Sequence, residues 1–234
     1  MYNSYKIQIH PEHEMFDYCD SLCFKAKNLY NMTNYYIRQV YTSFRKEIRN
    51  ENQLQVLMDI DTFLPQMNEI RMKSYEKARI KPKNVEKEGK IIEPRLKLFE
   101  MPTQEKSFIG YTFVEALFKV MKQMDYTSMP SQSNQQTIKK VYDDWKSFLE
   151  ATKKYKTKPT SFSGKPRIPK YKPKNGRTTC YLTNQITKIK NGKVLSLPGT
   201  PLTLKLGKIA HIDGKLQQVR IVPSYGRYVI EVVF

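Results

Sequence analysis

The sequence predicts an α+β protein in which a small antiparallel β-barrel carries a large helical insertion after its first strand. Three observations lead there. Apolar residues recur every three or four positions from Phe16 to about Lys154, the period of helices. Beyond residue 177 the period becomes two, in short runs separated by turn signals. A single alternating run, YKIQI at Tyr5–Ile9, stands alone at the start and needs a sheet to join, because an isolated strand is not stable.

The elements follow in order. The first strand stops at His10-Pro11. A helical register then joins Phe16, Cys19, Cys23, Ala26, Tyr30, Tyr36, Ile37, Val40, Tyr41 and Phe44. Helix is expected again from Asn50 to Ile80, interrupted near Pro65, where the N–H is missing. Residues 81–96 read as a charged loop. Pro102-Thr103 reads as a helix start, followed by Phe113, Leu117, Val120, Met121 and Met124. The best-formed helix spans about Asn134–Lys154, with Ile138, Val141, Tyr142, Trp145, Phe148 and Leu149 as one apolar stripe. Five strands are expected in TTCYLTN, GKVLSLP, LTLKLGK, LQQVRIVPS and RYVIEVVF, bounded by Asn-Gly, Pro-Gly, Asp-Gly and Tyr-Gly turns. Tyr5–Ile9 would complete their barrel. The domain expectation is therefore residues 1–10 with 156–234 as the β part and 11–155 as the helical insertion, with 50–101 poorly defined.

Charge is distributed unevenly. The chain of 234 residues carries a formal net charge of +19. From Lys153 to Phe234 there are eighteen Lys or Arg against two acids, Asp213 and Glu231, whereas the first 152 residues are nearly balanced. A surplus of this kind points to a polyanionic partner, nucleic acid or an acidic membrane. No apolar run is long enough to span a bilayer, and the N-terminus lacks the apolar region of a secretory signal. The basic residues do not lie opposite bulky apolar ones on a helix, so nucleic acid is the expected partner and membrane is not. Three cysteines, an odd number, fit a reducing compartment, and a cytoplasmic, nucleoid-associated location is expected.

The surplus is densest in SGKPRIPKYKPKNG, residues 163–176, where Pro166, Pro169 and Pro173 exclude a regular helix or a central strand. Lys158, Lys165, Arg167, Lys170, Lys172, Lys174 and Arg177, with Tyr171 among them, are the candidate nucleic-acid-binding residues. Cations neutralise phosphates, and aromatic faces such as Tyr155, Phe162 and Tyr171 stack on unpaired bases or ribose. The competing reading is a solvated linker.

Other constellations are better explained by structure. Trp145 on its apolar stripe reads as core. His10, His13, Cys19 and Cys23 lack finger or ribbon spacing, and the two cysteines fall on the apolar face of a helix, so no metal or other cofactor is expected. His211 and Asp213 in AHIDGK read as a hairpin turn rather than as an acid–base pair. Two-metal phosphoryl transfer needs clustered carboxylates, which the basic third lacks.

The order KKVYDDWKSFLEATKKY, GKPRIPKYKPKNGRTTCYLTNQ, ITKIKNGKVLSLPG, LKLGK and LQQVRIVPSYGRYVIEVVF resembles the region before the nuclease domain in the OrfB/TnpB family of insertion-sequence proteins, the transposon-encoded RNA-guided nucleases akin to small type V CRISPR effectors. Gly164, Pro166, Pro169, Lys170, Tyr171 and Lys172 carry its most specific part, and Leu197–Gly199 and the closing strand add to it. The resemblance covers about 134–234. It implies an oligonucleotide-binding-type wedge barrel with a helical recognition insertion, which together hold a guide RNA and its heteroduplex with target DNA.

The family's RuvC-like nuclease, opening with Gly-x-Asp-x-Gly, and its Cys-x-x-Cys zinc ribbon would follow Phe234. No catalytic residue is therefore carried over. The expectation is a truncated, non-enzymatic portion that binds structured RNA and does not cut. The alternatives are one chain of a split nuclease, active only with a separately encoded RuvC-like chain, or a guide-RNA-dependent DNA-binding regulator. A general RNA-binding barrel would not need the helical insertion.

Overall fold

The computed structural model describes residues 4–80, 94–207 and 215–234. Seven strands and five helices follow in the order β1 (Ser4–Ile9), α1 (Phe16–Ser43), α2 (Glu51–Ile80), α3 (Tyr111–Val120), α4 (Met124–Thr127), α5 (Ser131–Thr157), β2 (Cys180–Thr183), β3 (Lys188–Lys190), β4 (Val194–Ser196), β5 (Thr203–Lys205), β6 (Gln218–Ser224) and β7 (Arg227–Val233). The fold is α+β with antiparallel sheets. Contacts divide the chain into two compact units, Met1–Tyr35 with Met124–Phe234, and Tyr36–Gln123. In this division α5 and the first part of α1 group with the strands.

In the first unit, β1 pairs along its whole length with β7, more than two hundred residues away, giving a four-stranded sheet in the order β1-β7-β6-β2. Its register explains the alternation in the sequence. Cys180, Ile221, Ile230 and Ile7 form one cross-strand row, and Leu182, Val219, Val232 and Tyr5 the next on the same face. Cys180, Leu182, Val219, Ile221, Ile230, Val232 and the neighbouring Ile9 are fully buried there. Tyr181, Arg220, Glu231 and Lys6 form a row on the other face. Tyr225 and Gly226 (φ 42° and 76°) form the two-residue turn joining β6 to β7, left-handed at both positions as that turn requires.

No closed barrel forms among the described residues. The strands make two sheets instead of one: β3, β4 and β5 are three residues each and, among the described residues, pair only with one another, in the order β3-β4-β5. β3 was not among the expected strands. It is joined to β4 through Asn191 and Gly192, both at positive φ. The second sheet is tied to α1 by the Tyr18 hydroxyl, which donates to the Pro198 carbonyl at 2.8 Å. The expected Asp-Gly turn and its His211 and Asp213 lie outside the described residues, as does most of the expected loop at 81–96.

The second unit corrects two helix boundaries. α2 runs unbroken through Pro65. The carbonyl that loses its partner belongs to Asp61, and both residues are exposed, so water can take its place. α2 starts with a reciprocal cap: the Gln53 N–H donates to Asn50 Oδ1 at 2.9 Å, and the Asn50 N–H to Gln53 Oε1 at 3.0 Å. Pro102-Thr103 does not open a helix. The Thr103 hydroxyl accepts from the Lys106 N–H at 3.2 Å and closes only a local turn, and α3 begins at Tyr111. Buried Phe113, Val114, Leu117 and Phe118 make its apolar face.

Candidate nucleic-acid interface

The 163–176 segment has few backbone partners of its own, since an extended Pro-rich chain makes no regular ladder. Helix α1 supplies them. Asn34 Nδ2 donates to the Pro169 carbonyl at 3.1 Å. The Asn31 side-chain amide pairs with Lys172 like a peptide, donating to its carbonyl at 3.0 Å and accepting its N–H at 2.8 Å. Lys27 Nζ donates to the Lys174 carbonyl at 2.7 Å, and the Thr178 N–H donates to the Cys23 carbonyl at 3.2 Å. These α1 positions are three or four residues apart, so they form one stripe down the helix. The segment runs antiparallel to it, its backbone fixed by side chains of the helix. An unpaired buried backbone group is costly, which gives each of these bonds structural weight.

Lys27 itself is 4% exposed and makes no ion pair among the described residues; its ammonium lies 4.1 Å from the centre of the Phe24 ring. Burial, with the nearby Arg177 charge, lowers its pKa.

The end of the segment is clamped. Arg177 makes a bidentate pair with Asp20, both distances 2.8 Å, and the Tyr228 hydroxyl on β7 donates to the same carboxylate at 2.5 Å. The Arg177 bonds hold the Asp20 carboxyl below the usual carboxylate range. The stability this contributes is complete above the ordinary value, near pH 4, and is lost as pH falls through the lowered one. Asp20→Asn is expected to lower the melting temperature at neutral pH, with the gap to the unsubstituted protein narrowing in acid. A gap that does not change with pH would contradict the clamp.

With the backbone held from α1, most cationic side chains turn to solvent. Lys158, Lys165, Arg167, Lys170 and Lys174 are exposed, and Tyr171 is 40% exposed. Lys172 is half-buried, its ammonium 4.6 Å from the centre of the Tyr30 ring. Of the eight candidate residues, Arg167, Lys170, Tyr171 and Lys172 come together along one open groove of about 580 Å³. Lys158, Lys165 and Lys174 lie outside its lining, and Arg177 is committed to Asp20 and to the Phe24 face.

The opposite wall of the groove was not legible as a site. It is made by Asp144, Ser147, Phe148 and Ala151 of α5, with Tyr30 of α1 and with Phe162, which packs edge-on against Tyr155 at 5.7 Å. Phe148 and Tyr30 looked like core by their spacing, and Asp144 like a solvated helix position. Asp144 instead accepts the Tyr30 hydroxyl at 2.9 Å and the Lys140 ammonium at 2.7 Å. Burial, and then the Asp144 bond, raise the Tyr30 pKa, so its hydroxyl stays protonated and donating. Aromatic faces, cations and one carboxylate thus line the same depression, which suits a base or ribose with its phosphates.

The metal and thiol candidates sit elsewhere. Cys19, Cys23 and Cys180 are free and fully buried. Burial pushes the Cys19 and Cys180 thiols up to about 12 and raises Cys23 as well, which makes all three inert. His13 Nδ1 accepts the Met15 N–H at 3.0 Å. No group of three potential metal ligands occurs among the described residues. Glu231 pairs with Lys6 at 3.5 Å and Arg220 at 3.8 Å. No protein-family model and no curated protein matches this chain.

Proposed function

We propose that the chain is the wedge and recognition portion of a transposon-associated RNA-guided nuclease and that it holds a guide RNA and its heteroduplex with target DNA. One observation carries the RNA-binding part. The backbone of a Pro-rich basic segment is locked to α1 while its cations and Tyr171 line or flank an aromatic groove. A solvated linker would have no need of that anchoring stripe. The finer reading is an oligonucleotide-binding-type wedge in open form, with the helical unit as its recognition part. No helix among the described residues is long and apolar enough to cross a membrane.

The test is RNA binding against salt. Lys165→Gln, Lys170→Gln and Lys174→Gln together remove three exposed cations whose side chains make no hydrogen bond or ion pair among the described residues. The slope of log affinity against log salt should flatten by about two for single-stranded RNA, with a loss of about tenfold or more at moderate salt. An unchanged slope in a folded variant would return the segment to the role of linker.

Cleavage is expected to need something more. Supplied with Mg²⁺ or Mn²⁺ and RNA, the chain should leave DNA intact until a RuvC-like chain is added, because Asp213 and Glu231 are the only acids of its basic third. Cleavage by the pure chain that is lost in Asp213→Ala would overturn this.

A further inference from the structure

We propose that a second, smaller depression beside the groove is the seat of one internal phosphate of the bound RNA strand. This deepens the RNA-binding reading and rests on it. The depression, about 90 Å³, is lined by Tyr30, Thr137, Lys140, Lys172, Thr178, Thr179 and Tyr181. Four parts of the chain meet there: α1, α5, the anchored segment with the two threonines that follow it, and β2. Its volume is enough for a phosphate group, and the neighbouring groove is several times larger.

The lining is rich in donors. Lys140 and Lys172 line it together with Thr178, Thr179 and Tyr181, residues that carry two ammonium groups and three hydroxyls. Among the described residues no hydrogen bond within the chain occupies those three hydroxyls. Thr137 differs, since its hydroxyl donates to the Ser133 carbonyl at 2.9 Å. Lys140 is held by Asp144 through one contact at 2.7 Å, and an ammonium has three N–H donors, so two remain. Lys172 is steadied over the Tyr30 ring and through its backbone bonds to Asn31. Donor-bearing residues grouped around a small void are what a phosphodiester group, an acceptor through its oxygens, requires.

Tyr30 and Lys172 line both the depression and the groove. A nucleotide whose phosphate sits over Lys140 and Lys172 would therefore have its base or ribose beside Phe148, Phe162 and Tyr171. That geometry selects an unpaired, extended strand, because a base within a duplex could not enter the groove.

Two variants separate charge from hydrogen bonding, with a labelled single-stranded RNA as the probe. Lys140→Gln should flatten the salt slope by about 0.7, one phosphate's share. The double variant Thr178→Val with Thr179→Val should weaken binding several-fold with the slope unchanged, since it removes donors and no charge. Both effects should be the same for RNA with and without a 5′-phosphate; effects confined to the phosphorylated RNA would overturn the assignment to an internal linkage. If both variants fold and bind as the unsubstituted protein does, while the Lys165, Lys170 and Lys174 variant is weakened, the depression is not a phosphate site and the RNA-binding reading stands. If that triple variant is also unaffected, the RNA-binding reading fails as well.

Discussion

Deleting residues 1–10 is expected to destabilise the far end of the chain. β7 would become an edge strand, and every ladder bond it makes with β1 from Ser4↔Val233 to Ile9↔Tyr228 would be lost. Ile9, fully buried beside Tyr228, would go with it, as would the Tyr5–Phe234 ring contact at 6.4 Å. The buried isoleucine alone is worth about 1.5–3 kcal/mol, and each lost hydrogen bond adds about 0.5–1.5 kcal/mol. The Lys6–Glu231 pair adds little, since Lys6 is exposed and Glu231 keeps Arg220. Hydrogen exchange is the measurement. The β7 amides that point toward β1 should lose protection, while those that point toward β6 keep more of it. Full protection throughout Val219–Phe234 in the deletion variant would show that the pairing contributes nothing.

Trp145→Ala should have an effect of similar size, about 3–5 kcal/mol, because the indole is completely buried and its Nε1–H reaches α1. The more informative change is Trp145→Phe. The indole Nε1–H donates to Asn34 Oδ1 at 2.8 Å, while the Nδ2 of the same amide donates to the Pro169 carbonyl. Asn34 therefore couples the core of α5 to the anchored basic segment. Phenylalanine keeps an aromatic ring there but leaves a buried acceptor unpaired, at about 1–3 kcal/mol. Chemical denaturation should show that loss, and RNA affinity should fall with it if the segment loosens. Stability equal to that of the unsubstituted protein would mean that another donor takes the place of the indole.

The sequence showed Trp145 as core but not what its N–H was for. An i,i+3/i+4 apolar stripe predicts burial and carries no information about a hydrogen-bond partner 111 residues away. The same limit applies along α1. Asp20, Lys27, Asn31 and Asn34 are polar residues on one side of a helix, and by periodicity alone they are indistinguishable from a solvated face. A signal was present in their three- and four-residue spacing beside the apolar stripe. It became readable only once the Pro-rich segment was seen lying on it.

The strands other than β3 were legible for a simple reason: alternation sets which face is buried, and Asn-Gly and Tyr-Gly mark turns through backbone angles that few residues adopt. The same local rules placed β1 in a sheet with the C-terminal strands, because a lone strand has to pair somewhere. Whether seven strands close into one barrel is not a local property. It depends on strand length and on which edges meet, and the three-residue β3–β5 pair only among themselves. Pro65 shows the same division of labour: a proline predicts a break, but an exposed carbonyl one turn earlier removes the reason for one.

By itself, then, the sequence determined the α+β class, the joining of the two chain ends, the position of Trp145 in the core and the concentration of positive charge. Each follows from composition, period or the chemistry of adjacent residues. Tertiary structure alone decided how the strands divide into sheets, which cations stay exposed, that Arg177 is held by Asp20, and that Tyr30, Lys140, Asp144 and Phe148 share a surface with the basic segment. Those depend on side chains far apart in the chain meeting at hydrogen-bonding distance, and no local pattern encodes that distance.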